Sequence, residues 1–409
     1  MRNAEVTTLS LCNKLKSRVI LELDTMQKRL VTLSNAIHKN PEIGFQEVQT
    51  SQLLTSELQQ HGFEITQGIA GLQSAFKAEL RGQSQGIQIA FLAEMDALPG
   101  LGHACGHNLI ATASVGAAIA LSKVLPEIEG TIVVFGTPAE EAAVDNAGGK
   151  IQLLYELRKM DAAMLVHPSS QTRVVLPNIC REALKIEFYG KAAHAGSSPH
   201  LGVNALDAVV NTFNLVNALR QHVKSDVRIH AIITHGGESP NIVPPYAAMK
   251  MYVRASRPQY LEEVVEKVKQ CAQGAAIGTG ARVEIEQYAA RYLNMVSNPT
   301  LAELFRNNWR ALGVEITTGS KRSYGSTDMG NVSQVIPALH PYIAITPPDI
   351  AGHSIAFRKA AGSSAGHQGL LVAAKGLAMT AVDLFTTPRH VQQMRRDFDA
   401  FGHGKFIDY

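Results

Sequence analysis

Gly130-Thr131-Ile132-Val133-Val134-Phe135-Gly136 is a near-continuous apolar run, and it leads directly into Thr137-Pro138-Ala139-Glu140-Glu141. A short run that is apolar at consecutive positions is the mark of a strand buried on both faces, as in a parallel sheet. Two adjacent carboxylates at its end place chemistry at the carboxyl edge, where open α/β sheets carry their sites.

The same arrangement recurs on either side. Gly86-Ile-Gln-Ile-Ala-Phe-Leu-Ala93 is strand-like and ends in Glu94-Met95-Asp96-Ala97-Leu98-Pro99, followed by His103-Ala104-Cys105-Gly106-His107-Asn108. Residues 162–166 form a further short apolar strand that ends at His167-Pro168. Cys105, His107, Glu141 and His167 thus follow apolar strands and can converge at one sheet edge. Thiolate and imidazole are ligands that Zn²⁺ favours. Asp96 is placed to orient a metal-ligating imidazole, and Glu140 to act as base on a metal-bound water. His353 is a second loop histidine of the same kind.

Around these strands the spacing predicts helices over 24–40, 48–61 and 109–125. From about residue 183 the pattern changes. Strand, helix, strand, strand, helix and strand are predicted at 183–190, 204–223, 228–234, 247–256, 261–275 and 281–289. That is the β-α-β-β-α-β order of a ferredoxin-like unit. The α/β pattern resumes near 293, with a helix at 300–312, a strand at 339–345, a loop at 354–358 and a long apolar helix at 365–385. The expectation is an α/β protein. A discontinuous catalytic domain (1–182 plus 293–409), with a mixed or parallel sheet, carries an inserted lid (183–292).

Bulk properties narrow the function. The 409 residues exceed one core, and 45% hydrophobic with 18% charged residues is an ordinary globular balance. The net charge is +3 without a Lys/Arg run, so no nucleic-acid partner is indicated. The N-terminus lacks a signal-peptide core, and no uncharged apolar stretch is long enough to span a bilayer. Four dispersed cysteines fit free thiols in a cytoplasmic enzyme. No Gly-x-Gly-x-x-Gly turn follows a strand, which argues against an oxidoreductase. A nucleophilic Cys105 would leave Glu140, Glu141 and His353 without a purpose. A non-catalytic, metal-stabilised peptide-binding protein is the alternative from another class.

In order, the motifs are His38-Lys-Asn-Pro-Glu-Ile-Gly-Phe-Gln-Glu47, Glu94-Met-Asp-Ala-Leu-Pro99, His103-Ala-Cys-Gly-His107, Pro138-Ala-Glu-Glu141 and His167-Pro168. They continue with Gly190-Lys-Ala-Ala-His-Ala195, Pro240-Asn-Ile-Val-Pro244 and Gly352-His-Ser354. With these the chain resembles the dinuclear-metal aminoacylase, dipeptidase and carboxypeptidase-G amidohydrolases, whose fold is a zinc-peptidase-like domain with a lid and dimerisation domain. His107-Asn108-Leu109-Ile110 is similar to the branch that contains p-aminobenzoyl-glutamate hydrolase and Xaa-Arg or β-alanyl-lysine dipeptidase. The resemblance implies two divalent ions per chain, zinc first, with manganese or cobalt as alternatives. Cys105 would bridge them, His107 and Glu141 completing one ion and His167 and His353 the other. Glu140 would be the general base. Asp96 matches the aspartate of a His-x-Asp motif whose histidine is here Glu94. His194 would stabilise the oxyanion, often across a homodimer formed through the lid, and Asn241 and Arg254 would hold the substrate carboxylate. The implied reaction is hydrolysis of a dipeptide or N-acyl-amino acid, with p-aminobenzoyl-glutamate as alternative.

Overall fold

The computed structural model describes residues 2–141, 143–319 and 324–401. Its strands are β1 (Glu64–Gln67), β2 (Phe76–Arg81), β3 (Gln88–Glu94), β4 (Thr131–Thr137), β5 (Ala162–Met164), β6 (His167–Ser169), β7 (Cys180–Tyr189), β8 (Arg228–His235), β9 (Tyr246–Ala255), β10 (Arg282–Tyr292), β11 (Ala338–Leu339) and β12 (Tyr342–Ala344). The chain divides into two compact units. One comprises Met1–Pro177, Met295–Arg322 and Asp328–Tyr409, the other Asn178–Asn294 and Ser323–Thr327.

In the first unit a six-stranded sheet has the order β1-β2-β4-β3-β5-β11. β3 runs parallel to β4 and β5, and β11 runs parallel to β5, while β1 and β2 add an antiparallel edge. The apolar runs have a direct cause. Ile89 and Phe91 of β3 pack into one hydrophobic cluster with the helices Arg2–Lys39, His107–Ser122 and Ser364–Thr386. Their neighbours Ala90 and Leu92 pack into another, with Leu153, Leu157, Met329 and Val332. Alternate side chains point to opposite faces, so a strand covered on both sides must be apolar throughout. Strands β1 and β2 were not expected; the edge strand β1 buries none of its residues and so shows little pattern.

Three expectations change. The first helix begins at Arg2 rather than near Asp24, since Leu15, Val19 and Leu23 extend the buried stripe of Leu30 and Ile37. The strand expected at 339–345 is two short strands separated at His340–Pro341, where proline has no N–H to give to a ladder. Residues 354–358 are not a loop. They open the helix Ile355–Ala361, which Ser354 caps by accepting the Phe357 N–H at 3.1 Å. The helix Ser364–Thr386 is long and apolar enough to cross a membrane, but 78% of its apolar window is buried inside the protein, as in a core helix.

The second unit is a four-stranded antiparallel sheet of order β10-β7-β9-β8. The helices Ala205–Leu219 and Pro258–Thr279 bury Val209, Val216, Leu261 and Val268 against its Ile186, Phe188, Met249 and Val253. The order of elements is β-α-β-β-α-β. Asn204 caps the first helix by accepting the N–H groups of Leu206 and Asp207.

Candidate metal centre

β3 ends at Glu94, β4 at Thr137 and β6 begins at His167, so three neighbouring segments deliver their polar residues to one edge. Gly106 makes the approach of the Cys105–His107 turn possible. Its φ is +84°, and a Cβ there would lie 2.4 Å from Pro168 Cγ. The helix His107–Ser122 starts immediately afterwards.

Cys105, His107 and His167 bring one potential ligand atom each to within 4.8 Å of one another, and so do Cys105, Glu141 and His353. Cys105 is common to both groups. His107, Glu140 and Glu141 form a further group by the same measure, so His107 falls with His167 in one grouping and, as the resemblance implies, with Glu141 in another. The Cys105 Sγ lies 3.4 Å from His167 Nε2, and His353 Nε2 lies 3.0 Å from Glu141 Oε1. His353 adopts a left-handed φ of 57°, uncommon outside glycine.

The imidazoles of buried His107 and half-buried His167 are both oriented by carbonyls. His107 Nδ1 lies 2.8 Å from the Asp96 carbonyl, and His167 Nδ1 lies 2.6 Å from that of Pro168. A carbonyl oxygen only accepts, so each ring carries its proton on Nδ1 and turns the Nε2 lone pair into the cluster. The His107 Nε2 atom is buried without a hydrogen-bond partner. Asp96 also accepts the backbone N–H groups of Glu140 at 3.1 Å and Glu141 at 2.9 Å. One carboxylate therefore positions a ring and the two residues after Ala139.

The charge of the cluster fits cations. Among the described residues, Glu94, Asp96, Glu140, Glu141 and Asp328 face a single ammonium, that of Lys150. Burial and the charges of Glu94 and Glu141 push Glu140 well above the usual carboxylate range. Burial and the charges of Glu141 and Glu140 raise the Cys105 thiol. Burial would also raise Glu141, but the His353 contact outweighs it and holds this carboxyl down at about 2. For His107, the Asp96 carboxylate outweighs burial and makes the ring a stronger base, and with it the Nε2 lone pair a stronger donor to a cation. A divalent ion would relieve the repulsion at Glu140 and stabilise the Cys105 thiolate. The donor set of thiolate, imidazole and carboxylate, the orphaned Nε2 atom and the negative excess fit divalent metal ions.

The other expected site residues lie in the second unit. His194 Nδ1 accepts the N–H groups of Gly196 and Ser197, so the proton of the neutral ring is on Nε2, an outward donor. Asn241 Oδ1 accepts the Ser239 hydroxyl. Arg254 donates to the Tyr324 carbonyl at 3.2 Å and to Ser326 Oγ at 3.0 Å.

Four residues were given no role from the sequence. Glu47 is fully buried and accepts the Ala139 N–H and the Ser74 hydroxyl. Lys150 and Asp328 are fully buried beside Glu94. The His340 ring lies 5.6 Å from that of His167 at a tilt of 32°, and burial holds it down at about 3. Glu47 closes the first motif quoted from the sequence, while Lys150 and His340 stand in no motif.

Comparison with known proteins agrees with this architecture. The model of Peptidase family M20/M25/M40 matches residues 90–361. The Xaa-Arg dipeptidase of Mus musculus is 38% identical over 401 residues, covering 94% of this chain and 92% of that protein. A component of the p-aminobenzoyl-glutamate hydrolase of Escherichia coli (strain K12) is 29% identical over 461 residues, covering 92% of this chain and 93% of that protein. Among solved structures, the Bacillus subtilis YXEP protein, described as a dinuclear metal binding peptidase, superposes with a TM-score of 0.67. It is 23% identical and covers 89% of this chain and 99% of its own. On the strength of the family model and the mouse relative, this chain belongs to Peptidase family M20/M25/M40.

Proposed function

We propose that this chain is a metal-dependent hydrolase of peptide or linear amide bonds whose centre holds two divalent ions. The observation that carries the reading is the pair of three-residue ligand groups that share Cys105. Cys105, His107 and His167 would hold one ion and Cys105, Glu141 and His353 the other, with zinc as first choice and manganese or cobalt as alternatives. Such ions supply Lewis-acid polarisation of the scissile carbonyl and of a coordinated water.

The chain's own residues do the rest. Glu140 takes a proton from the attacking water and passes it to the leaving amine. Asp96 fixes the His107 ring and the backbone of Glu140 and Glu141. His194 offers its Nε2–H to the developing oxyanion, a contribution of roughly 3–4 kcal/mol. Asn241 and Arg254 take the substrate carboxylate, for which a guanidinium fork is suited. The substrate is a dipeptide or N-acyl-amino acid, and the dipeptidase relatives favour a dipeptide with a basic C-terminal residue. The alternative is p-aminobenzoyl-glutamate, which the similarity to the bacterial hydrolase supports. The second unit serves as lid and as the contact of a homodimer.

The test is amide hydrolysis by the metal-loaded protein, with and without chelator. The panel is β-alanyl-lysine, several Xaa-Arg dipeptides, N-acetyl-amino acids and p-aminobenzoyl-glutamate. Chelator-sensitive turnover of one class is expected. Turnover that survives complete metal removal would overturn the reading.

A further inference from the structure

Next to the groups that hold Cys105 and His107 lies one made of carboxylates alone. Glu94, Glu140 and Asp328 bring their oxygens to within 4.8 Å of one another, and all three are buried. By itself that trio resembles a site for a hard divalent cation, which oxygen donors suit. A covalent cation already stands there. Lys150 Nζ lies 2.7 Å from Glu94 Oε1 and 2.5 Å from Asp328 Oδ1. The lysine is fully buried, and no other ammonium or guanidinium pairs with Glu94 or Asp328 among the described residues.

The backbone holds this ammonium in place. Asp328 Oδ2 accepts the Lys150 backbone N–H at 3.0 Å while Oδ1 binds the ammonium, so one carboxylate clamps both ends of the residue. Gly149 lets the segment press against the loop that carries Glu140, since a Cβ there would lie 2.0 Å from Pro138 O. The far oxygen of Glu94 then lies 3.4 Å from His107 Nε2. Lys150 thus touches a carboxylate that faces a candidate ligand, and its charge also acts on Glu140. A buried charge cluster of this kind adds little net stability over an apolar one of the same shape.

We propose that Lys150 is a positioning residue whose ammonium serves as a built-in cation, filling the pocket of Glu94, Glu140 and Asp328 and closing it to a further metal ion. Its charge holds Glu94 at the back of the His107 ligand and keeps Glu140 turned to its task as base. The sequence departure at Glu94 then has a partner. An acidic residue beside the ligand groups is tolerated because a lysine from the next segment neutralises it. This inference rests on the metal-centre reading proposed above.

The test counts metal in wild type and Lys150→Ala, each equilibrated with MnCl₂ and followed by electron paramagnetic resonance and elemental analysis. Lys150→Ala should bind one more Mn²⁺ per chain than wild type. Its Tm should rise with Mn²⁺ or with propylammonium, which replaces the missing side chain, by more than that of wild type does. On whichever amide proves to be a substrate, kcat should fall roughly 10²-fold with KM little changed, as for a misplaced catalytic group. Propylammonium should restore part of it.

Equal Mn²⁺ counts and no response to propylammonium would overturn the proposal. A wild type that binds no divalent ion would instead overturn the metal-centre reading, so the two failures are distinct. If Lys150→Ala does not fold, the variant Lys150→Ala/Glu94→Gln/Asp328→Asn decides. Recovery of soluble protein without the extra Mn²⁺ supports charge compensation. Failure to fold there too would show that the lysine stem, not its charge, is required, and would overturn the proposal.

Discussion

Asp96 Oδ2 accepts the backbone N–H of Glu141 at 2.9 Å, across 45 positions of sequence. The same carboxylate takes the Glu140 N–H and lies 3.1 Å from His107 Nδ1. One side chain therefore sets the distance between a candidate ligand on the helix His107–Ser122 and two acidic residues after β4. Asp96→Ala should keep the fold but weaken metal binding by roughly 10- to 100-fold, the usual loss when the partner of a ligating histidine is removed. Competition against a chelator of known affinity, with circular dichroism as control, would check this. Unchanged affinity would remove Asp96 from the centre.

Glu140→Gln keeps the shape and the backbone contacts while removing the base. Metal content should match wild type, and kcat should fall roughly 10²- to 10⁴-fold. Parallel loss of metal and turnover would make Glu140 a ligand instead.

Cys105 belongs to both ligand groups. Cys105→Asp, a hard anion at the same place, should retain two ions and shift preference from Zn²⁺ toward Mn²⁺. Cys105→Ala should bind fewer ions. Elemental analysis of the two variants side by side distinguishes a shared ligand from a bystander thiol.

Arg254→Ala removes a guanidinium from β9 that has Tyr324 and Ser326 as acceptors. Loss of a hydrogen bond to a charged group costs about 1.5–3 kcal/mol, so KM should rise roughly 10- to 100-fold while kcat changes less. A drop in kcat at constant KM would contradict its role in holding the substrate carboxylate.

Glu47 supplies a pH signature. Burial and the nearby Asp96 charge push its carboxyl up to about 7 from an ordinary 4.5. Between these values the folded chain keeps a proton that the unfolded chain has released. The contribution is fully present below pH 4.5 and is lost as pH rises through 7, by roughly 3 kcal/mol in all. Denaturant unfolding of metal-free protein at about pH 5, 6, 7 and 8 should show that decline, and Glu47→Gln should flatten it. An identical slope in the variant would mean that Glu47 is ionised throughout.

The sequence was most legible where a single segment carried its own pattern. Strands β3, β4 and β5 announce themselves because both faces are buried, and Cys105, His107, Glu141 and His167 could be placed beside one another because each follows such a run. The β-α-β-β-α-β order of the second unit was readable from alternation and helical spacing alone. What escaped depends on distant partners. Lys150 looks ordinary until Asp328, 178 positions away, closes on it. Glu47 gains its setting only from Ala139, 92 positions away. Strand order reveals which residues share an edge but not which atoms share a corner, so the grouping of the candidate ligands is not legible in the sequence.

The bond between Lys150 and Asp328 has a consequence for how the chain is made. The first unit is assembled from segments on either side of residues 178–294, and its parallel partner strand β11 also comes from the later segment. A ribosome therefore releases Glu94 and Lys150, which pair with each other, long before Asp328, the second carboxylate on that ammonium, exists. Most of the intervening unit is one continuous stretch with local antiparallel pairings, and it can fold while it emerges. The unit that carries the candidate metal centre must wait, its sheet open at β5 and Lys150 without its second carboxylate, until Asp328 and β11 have cleared the exit tunnel. Synthesis halted between residues 294 and 328 should therefore yield a folded insert attached to a protease-sensitive remainder.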